Sequence, residues 1–145
     1  MGEVGSRVVI DTNVLVGAVL SRSGGANREV LRACLNGFAN PVIGMALFSE
    51  YEDLLLRSDL MKKSPLSAKE RLTLLEAFLS VGEWVKIYYL WRPNLPDESD
   101  NHLIELAIAG GATIIVTNNL ADATGGELTF PSMQFMSPAQ FLQLP

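Results

Sequence analysis

Short apolar runs alternate along this chain with stretches whose apolar positions recur at intervals of three and four. Residues 7–10 end in Val8-Val9-Ile10, a continuous branched run that predicts a buried strand. A short helix is predicted over 13–20, and Ser21-Arg22-Ser23-Gly24-Gly25 is loop by composition. Residues 26–36 carry Val30, Leu31, Cys34 and Leu35 at helical spacing, and Gly37 stops that helix. Pro41-Val42-Ile43-Gly44 predicts a second short strand, followed by helices over 46–57 and 67–80. Residues 84–91 are rich in aromatic and branched side chains and predict a strand, with Trp84, Tyr88, Tyr89 and Trp91 as core. A helix over 99–109 closes on Gly110-Gly111, and a strand covers 113–116. A last strand is expected at 134–136 and a terminal helix at 138–142, with proline in its first turn.

Strands separated by helices imply βαβ units, hence an α/β fold with a mainly parallel sheet and helices on both faces. Parallel strands end on one edge of the sheet, and in such folds that edge is where ligands bind. Asp11 and Asn119 both follow predicted strand ends.

Length changes this picture little: 145 residues fit one domain over 1–145. A hydrophobic fraction of 48% argues against disorder. Cys34 is the only cysteine, so no intrachain disulfide is expected. The first residues lack the basic start and apolar stretch of a signal peptide, and no run approaches the roughly 18 residues of a membrane span. A soluble cytoplasmic domain is the expectation. The net charge of −5 counts against a broad phosphate-binding surface. It leaves room for a nuclease, because divalent ions in a carboxylate cluster restore positive charge locally. Arg7, Arg22, Arg28 and Arg32 are candidates to line a groove; each alone reads equally well as a solvated side chain.

The candidate chemistry lies in four acidic patches at predicted element ends: Asp11, Glu50 with its neighbours, residues 97–100, and Asp122. Asp11 also fits as an N-cap of the next helix. Glu50 and Glu52 both have apolar neighbours at helical offsets, and periodicity does not choose between them. Asp100 shares a helical stripe with Leu103, Ile104, Ala107 and Ile108, at a helix N-terminus that favours negative charge. Asp97, Glu98 and Ser99 are natural caps, and Asp122 alone reads as a turn residue. The patches gain meaning together. Two carboxylates 4 Å apart repel by roughly 4 kcal/mol at an effective dielectric near 20. A divalent cation removes that repulsion, and oxygen donors suit Mg²⁺ or Mn²⁺.

Other chemistries fit less well. His102 is the sole histidine; two residues from Asp100 on a helix, it is expected to face elsewhere, exposed or beside the site. There is no GxGxxG, no GxxxxGK[ST] and no Cys/His zinc spacing. Met45, Met61, Met133 and Met136 read as packing.

Four segments, in order and spanning residues 8–122, resemble the motifs of PIN-domain nucleases. Val9-Ile10-Asp11-Thr12-Asn13-Val14-Leu15 resembles the first, and Phe48-Ser49-Glu50-Tyr51-Glu52 the second, which selects Glu50 over Glu52. Residues 97–107 resemble the third with Asp100 as its acid, and Val116-Thr117-Asn118-Asn119-Leu120-Ala121-Asp122 the fourth. Asn119 stands where many members have aspartate, and the acid shifts three residues on to Asp122. The likeness is greatest to VapC-like toxin components of bacterial toxin–antitoxin systems, whose tail residues 126–142 also resemble.

The resemblance implies a PIN-like three-layer α/β/α sandwich and a metal-dependent ribonuclease. It implies that Asp11, Glu50 and Asp100, assisted by Asp122 or Asn119, hold Mg²⁺ or Mn²⁺, with Thr12, Asn13 and Thr117 orienting by hydrogen bonds. It further implies a homodimer and a small antitoxin covering the acidic cleft. Two rivals stand beside it: a receiver-like regulatory domain, which lacks its expected lysine after the late strand, and a metal-binding PIN-like scaffold without activity.

Overall fold

Val8, Val9 and Ile10 are all buried because their strand, β1 (Ser6–Ile10), runs through the middle of the sheet. The computed structural model describes residues 6–57, 59–86, 101–119 and 133–144. Among them, β1, β2 (Ala39–Ile43), β3 (Glu83–Trp84), β4 (Ile114–Val116) and β5 (Gln134–Met136) form one parallel sheet in the order β3-β2-β1-β4-β5. Val8 lies between Pro41 and Ile114, and Ile10 pairs Val116. Ile43 pairs Trp84, and Val116 pairs Met136.

The helices are α1 (Thr12–Leu20), α2 (Ala26–Leu35), α3 (Met45–Leu56), α4 (Ala68–Ser80), α5 (Asn101–Gly110) and α6 (Pro138–Leu142). α1 packs on α2 and α3, and α4 packs on α3. α5 packs on β1, β2 and β4. Strand alternation shows that these groups cover opposite faces. Glu83 pairs with Arg7, which also donates to the Gly110 carbonyl of α5. The next residue, Trp84, meets Phe48 of α3. The expected three-layer arrangement is therefore present.

Most predicted elements are found within a residue or two. Ser67 is the cap of α4 rather than its first residue, and a capping box with Glu70 explains why the helix starts there. The turn of 3₁₀ helix at Leu60–Lys63 has no periodic signature and was not predicted. The strand expected over 84–91 is Glu83–Trp84 as far as the described residues reach, and Tyr88, Tyr89 and Trp91 lie outside them. Trp84 is not core: it is 50% exposed on β3, edge-on to Phe48. Met45 is also exposed, at the open start of α3, whereas Met61 packs as expected. The buried face of α5 is Leu103, Ile104, Leu106 and Ala107, with Ile108 half exposed. The helix is turned so that Leu106 meets the chain at Gly44.

Candidate active site at the sheet edge

β1 leads through α1 and α2 to β2 on one side, whereas β4 is neighboured by β5 on the other. The strand order thus reverses between β1 and β4, the position where open α/β sheets leave a crevice. Asp11 and Thr117 are the residues immediately past those two strand ends. The Asp11 N–H donates to the Val116 carbonyl at 2.9 Å, and the Thr117 N–H to the Met136 carbonyl at 2.9 Å. Both backbones are pinned before their side chains act.

Asp11 sits at the sheet edge and also caps a helix. It is the N-cap of α1, its Oδ1 accepting the Thr12 N–H at 2.7 Å. Its Oδ2 accepts the Thr117 hydroxyl at 2.7 Å and Asn13 Nδ2 at 3.2 Å. Burial raises its pKa above the ordinary 3.8, and the charge of Glu50 adds to the rise. The bonds from Thr117 and Thr12, and the His102 ring, act against it.

α3 supplies Glu50, and its neighbour explains the placement. Tyr51 is fully buried, stands edge-on to Phe78 and donates its hydroxyl to the Ile10 carbonyl at 2.6 Å. That bond ties α3 to the end of β1. Glu50 is then held by the Thr12 hydroxyl on Oε1 and lies 3.3 Å from His102 Nε2 on Oε2. Glu52 is exposed, so the choice that periodicity left open falls to Glu50. His102 comes from the first turn of α5 and sits beside a carboxylate rather than in solvent.

Asn13 and Thr117 both bond the acid, and Asn13 Nδ2 also reaches Thr117 Oγ1 at 3.3 Å. Asn119 takes part through its backbone N–H, which donates to Thr117 Oγ1 at 3.0 Å. Asn118 was not singled out in the sequence, yet its N–H and side chain bond Asn13. Tyr51 was likewise not singled out, whereas His102 lies beside the site, one of the two places expected for it. A polar residue beside a motif acid, and a lone histidine in a motif helix, were the signals available. Asp100 and Asp122 lie outside the described residues.

Among the described residues no three His, Cys, Asp or Glu side chains stand close enough to hold a metal ion. Asp11 and Glu50 nevertheless fit one. They are hard oxygen donors, and Mg²⁺ typically takes one or two carboxylates and keeps several waters. Of the four candidate arginines, Arg22, Arg28 and Arg32 do line one hollow of about 460 Å³, over Leu31, Leu35, Leu66 and Leu74. Arg7 is elsewhere, bound to Glu83 and Gly110.

The sequence matches the family model of the PIN domain over residues 7–121. The chain belongs to the PIN domain family. Its members are generally nucleases, and the matched span holds Asp11, Glu50, Asp100 and Thr117. Among solved structures this PIN domain is similar to a chain of VapBC2 from Rickettsia felis, solved bound to a DNA fragment from its promoter. The two share 17% identity with a TM-score of 0.54, covering 90% of this chain and 98% of that one. That likeness is one of fold. No curated protein matches the sequence.

Proposed function

We propose that this PIN domain is a Mg²⁺- or Mn²⁺-dependent endoribonuclease, the toxin component of a toxin–antitoxin pair, acting as a single domain over residues 1–145. The observation that carries the reading is the pair Asp11 and Glu50 at the sheet's switch point, one of them desolvated and raised in pKa partly by the other. Asp100 and Asp122 complete the set of carboxylates that hold the ion. When bound, the ion supplies charge neutralisation at the phosphoryl oxygens and lowers the pKa of water beside it. Thr12 holds Glu50, Asn13 and Thr117 hold Asp11, and Tyr51 fixes the spacing between the two acids. The reaction is in-line attack of water on an RNA phosphodiester.

RNA as substrate, a homodimer, a small antitoxin covering the acidic cleft and a cytoplasmic place follow from the likeness to VapC-like toxins. The solved neighbour's identity as VapBC2 supports the pairing. No helix among the described residues is long and apolar enough to cross a membrane.

Asp11→Asn and Asp100→Asn each lower metal-dependent RNA cleavage by roughly 10²–10³-fold or more, the scale of losing an electrostatic stabiliser of the transition state. Circular dichroism of both variants remains that of a folded protein. Wild-type cleavage rates in both would overturn the assignment. The neutral Asn119 in the fourth motif favours one second reading, a PIN scaffold that binds metal without cutting. Mn²⁺ binding by wild type with no cleavage of any RNA would select it.

A further inference from the structure

Gly17 stands inside α1, where alanine would favour the helix by roughly 1 kcal/mol. It is not among the positive-φ glycines, so its backbone does not require it. Space does. A Cβ at Gly17 would lie 2.2 Å from Asn27 Nδ2 and 2.9 Å from Asn27 Cγ. The bare turn of α1 is the seat of the Asn27 side chain, which comes from the first turn of α2.

From that seat Asn27 Oδ1 accepts Asn118 Nδ2 at 3.0 Å. Asn118 sits in the turn after β4. Its Nδ2 and its backbone N–H also donate to Asn13 Oδ1, at 3.4 and 3.1 Å. A backbone N–H can only donate, so it sets which end of the Asn13 amide faces it. The amino end of Asn13 is thereby turned to Asp11 Oδ2 and Thr117 Oγ1. Reversed, Asn13 would set a carbonyl oxygen against a desolvated carboxylate. The uncharged ligands of this chain thus have a polarity, and it runs from α2 to Asp11.

We propose that Gly17, Asn27 and Asn118 form a positioning chain that locks the Asn13 amide and, through it, the metal-facing carboxylate of Asp11. Asn27 clamps the Asn118 turn to α2, and Gly17 makes room for the clamp. The proposal rests on the reading of Asp11 as a metal-holding carboxylate.

Four variants test it: Asn27→Ala, Asn27→Asp, Gly17→Ala and the double variant Gly17→Ala/Asn27→Ala. Each is measured for Mn²⁺ affinity by calorimetry, for kcat and KM on RNA, and for the metal-free unfolding midpoint. Partners beyond the ligands of a metal site usually matter by about 10–100-fold. Asn118 acts one bond further out and Asn27 two, so Asn27→Ala and Gly17→Ala are each expected to weaken Mn²⁺ binding and lower kcat by about 3–10-fold, with KM for RNA unmoved. Asn27→Asp keeps an acceptor oxygen for Asn118 and stays within about twofold of wild type. In Mn²⁺ affinity and kcat the double variant matches Asn27→Ala alone, because with the amide gone the added methyl strikes nothing. A lower midpoint with wild-type Mn²⁺ affinity and kcat in Asn27→Ala would make the chain merely structural and overturn the proposal. So would losses that multiply in the double variant. Asp11→Asn measured alongside separates the layers. If it abolishes Mn²⁺ binding while Asn27→Ala does not alter it, the positioning chain alone falls. If Asp11→Asn binds Mn²⁺ as wild type does, the metal reading falls and the chain with it.

Discussion

At the carboxyl edge of the sheet, the donors on Asp11 and Glu50 are hydroxyls, one amide, one backbone N–H and a histidine ring. On the face covered by α1, α2 and α4, Arg22, Arg28 and Arg71 meet backbone carbonyls. Arg28 donates to the carbonyls of Ala18 in the last turn of α1 and of Ser21 just past it, Arg22 to that of Lys63, and Arg71 to those of Leu55 and Leu66. No lysine or arginine pairs with Asp11 or Glu50 among the described residues. These three cations sit where carbonyls need donors. The fold holds its central acids with hydroxyls, an amide, a backbone N–H and one histidine rather than with lysine or arginine, and the hydroxyls and amides fix a carboxylate's direction without cancelling its charge. That contrast leaves the acid cleft a demand for positive charge, which a bound ion or a partner must meet.

The largest effect that would break this comparison lies at Arg71. Its side chain is buried, and its Nε and Nη1 each sit 2.8 Å from a carbonyl, of Leu55 and Leu66. Arg71→Ala removes both donors and opens a void between α3 and α4. The expected cost is about 2–4 kcal/mol, a fall of roughly 10 °C in the unfolding midpoint. Mn²⁺ affinity per folded molecule should not change. A drop in that affinity would show that the two regions are one unit.

A smaller effect belongs to Asp11. Its folded pKa is raised above 3.8, chiefly by burial. The folded state therefore takes up the proton more readily than the unfolded chain. The penalty of ionising it is absent below the unfolded pKa and complete above the folded one. Asparagine carries no such penalty and caps a helix as well as aspartate does. The midpoint of metal-free Asp11→Asn relative to wild type should rise as pH climbs from about the ordinary 3.8 through the raised value. Saturating Mn²⁺ should reverse the trend, since only the carboxylate gains from the ion. A pH-independent difference in thermal scans would mean that Asp11 is not desolvated.

The backbone layout was largely legible in the sequence, and the reason is physical. Val8-Val9-Ile10 and Ile114-Ile115-Val116 are continuous branched runs that only a doubly covered strand can bury. The site was legible in part. Asp11 follows such a run directly, but the choice of Glu50 over Glu52 needed motif likeness, because helical offsets served both. What remained hidden depends on contacts between distant segments. Gly17 and Asn27 are ten positions apart, and Asn118 is 91 beyond Asn27. Periodicity describes one element at a time and is silent about a pocket in one helix that seats a residue of another. The exposure of Trp84 and Met45 was missed for a similar reason: an apolar residue at the sheet's edge or at a helix start has the same spacing as one in its core.

Arg32 gives the smallest expected effect and the finest test of the contrast. Unlike its neighbours in the hollow, it meets a side chain: Glu29, one turn back, at 3.4 Å. Its side chain is 60% exposed. An exposed pair at this spacing contributes about 0.5 kcal/mol or less. Arg32→Ala should therefore shift the midpoint by no more than about 2 °C and leave Mn²⁺ affinity untouched. RNA kinetics then decide what the hollow is for. An unchanged KM keeps its arginines structural, as the carbonyl partners of Arg22 and Arg28 imply. A several-fold rise in KM that grows as salt is lowered would mean that phosphates reach this face, since phosphate contacts weaken with salt. In that case the positive charge demanded at the sheet edge would have a counterpart in this hollow, and the arginines could no longer be understood through carbonyls alone.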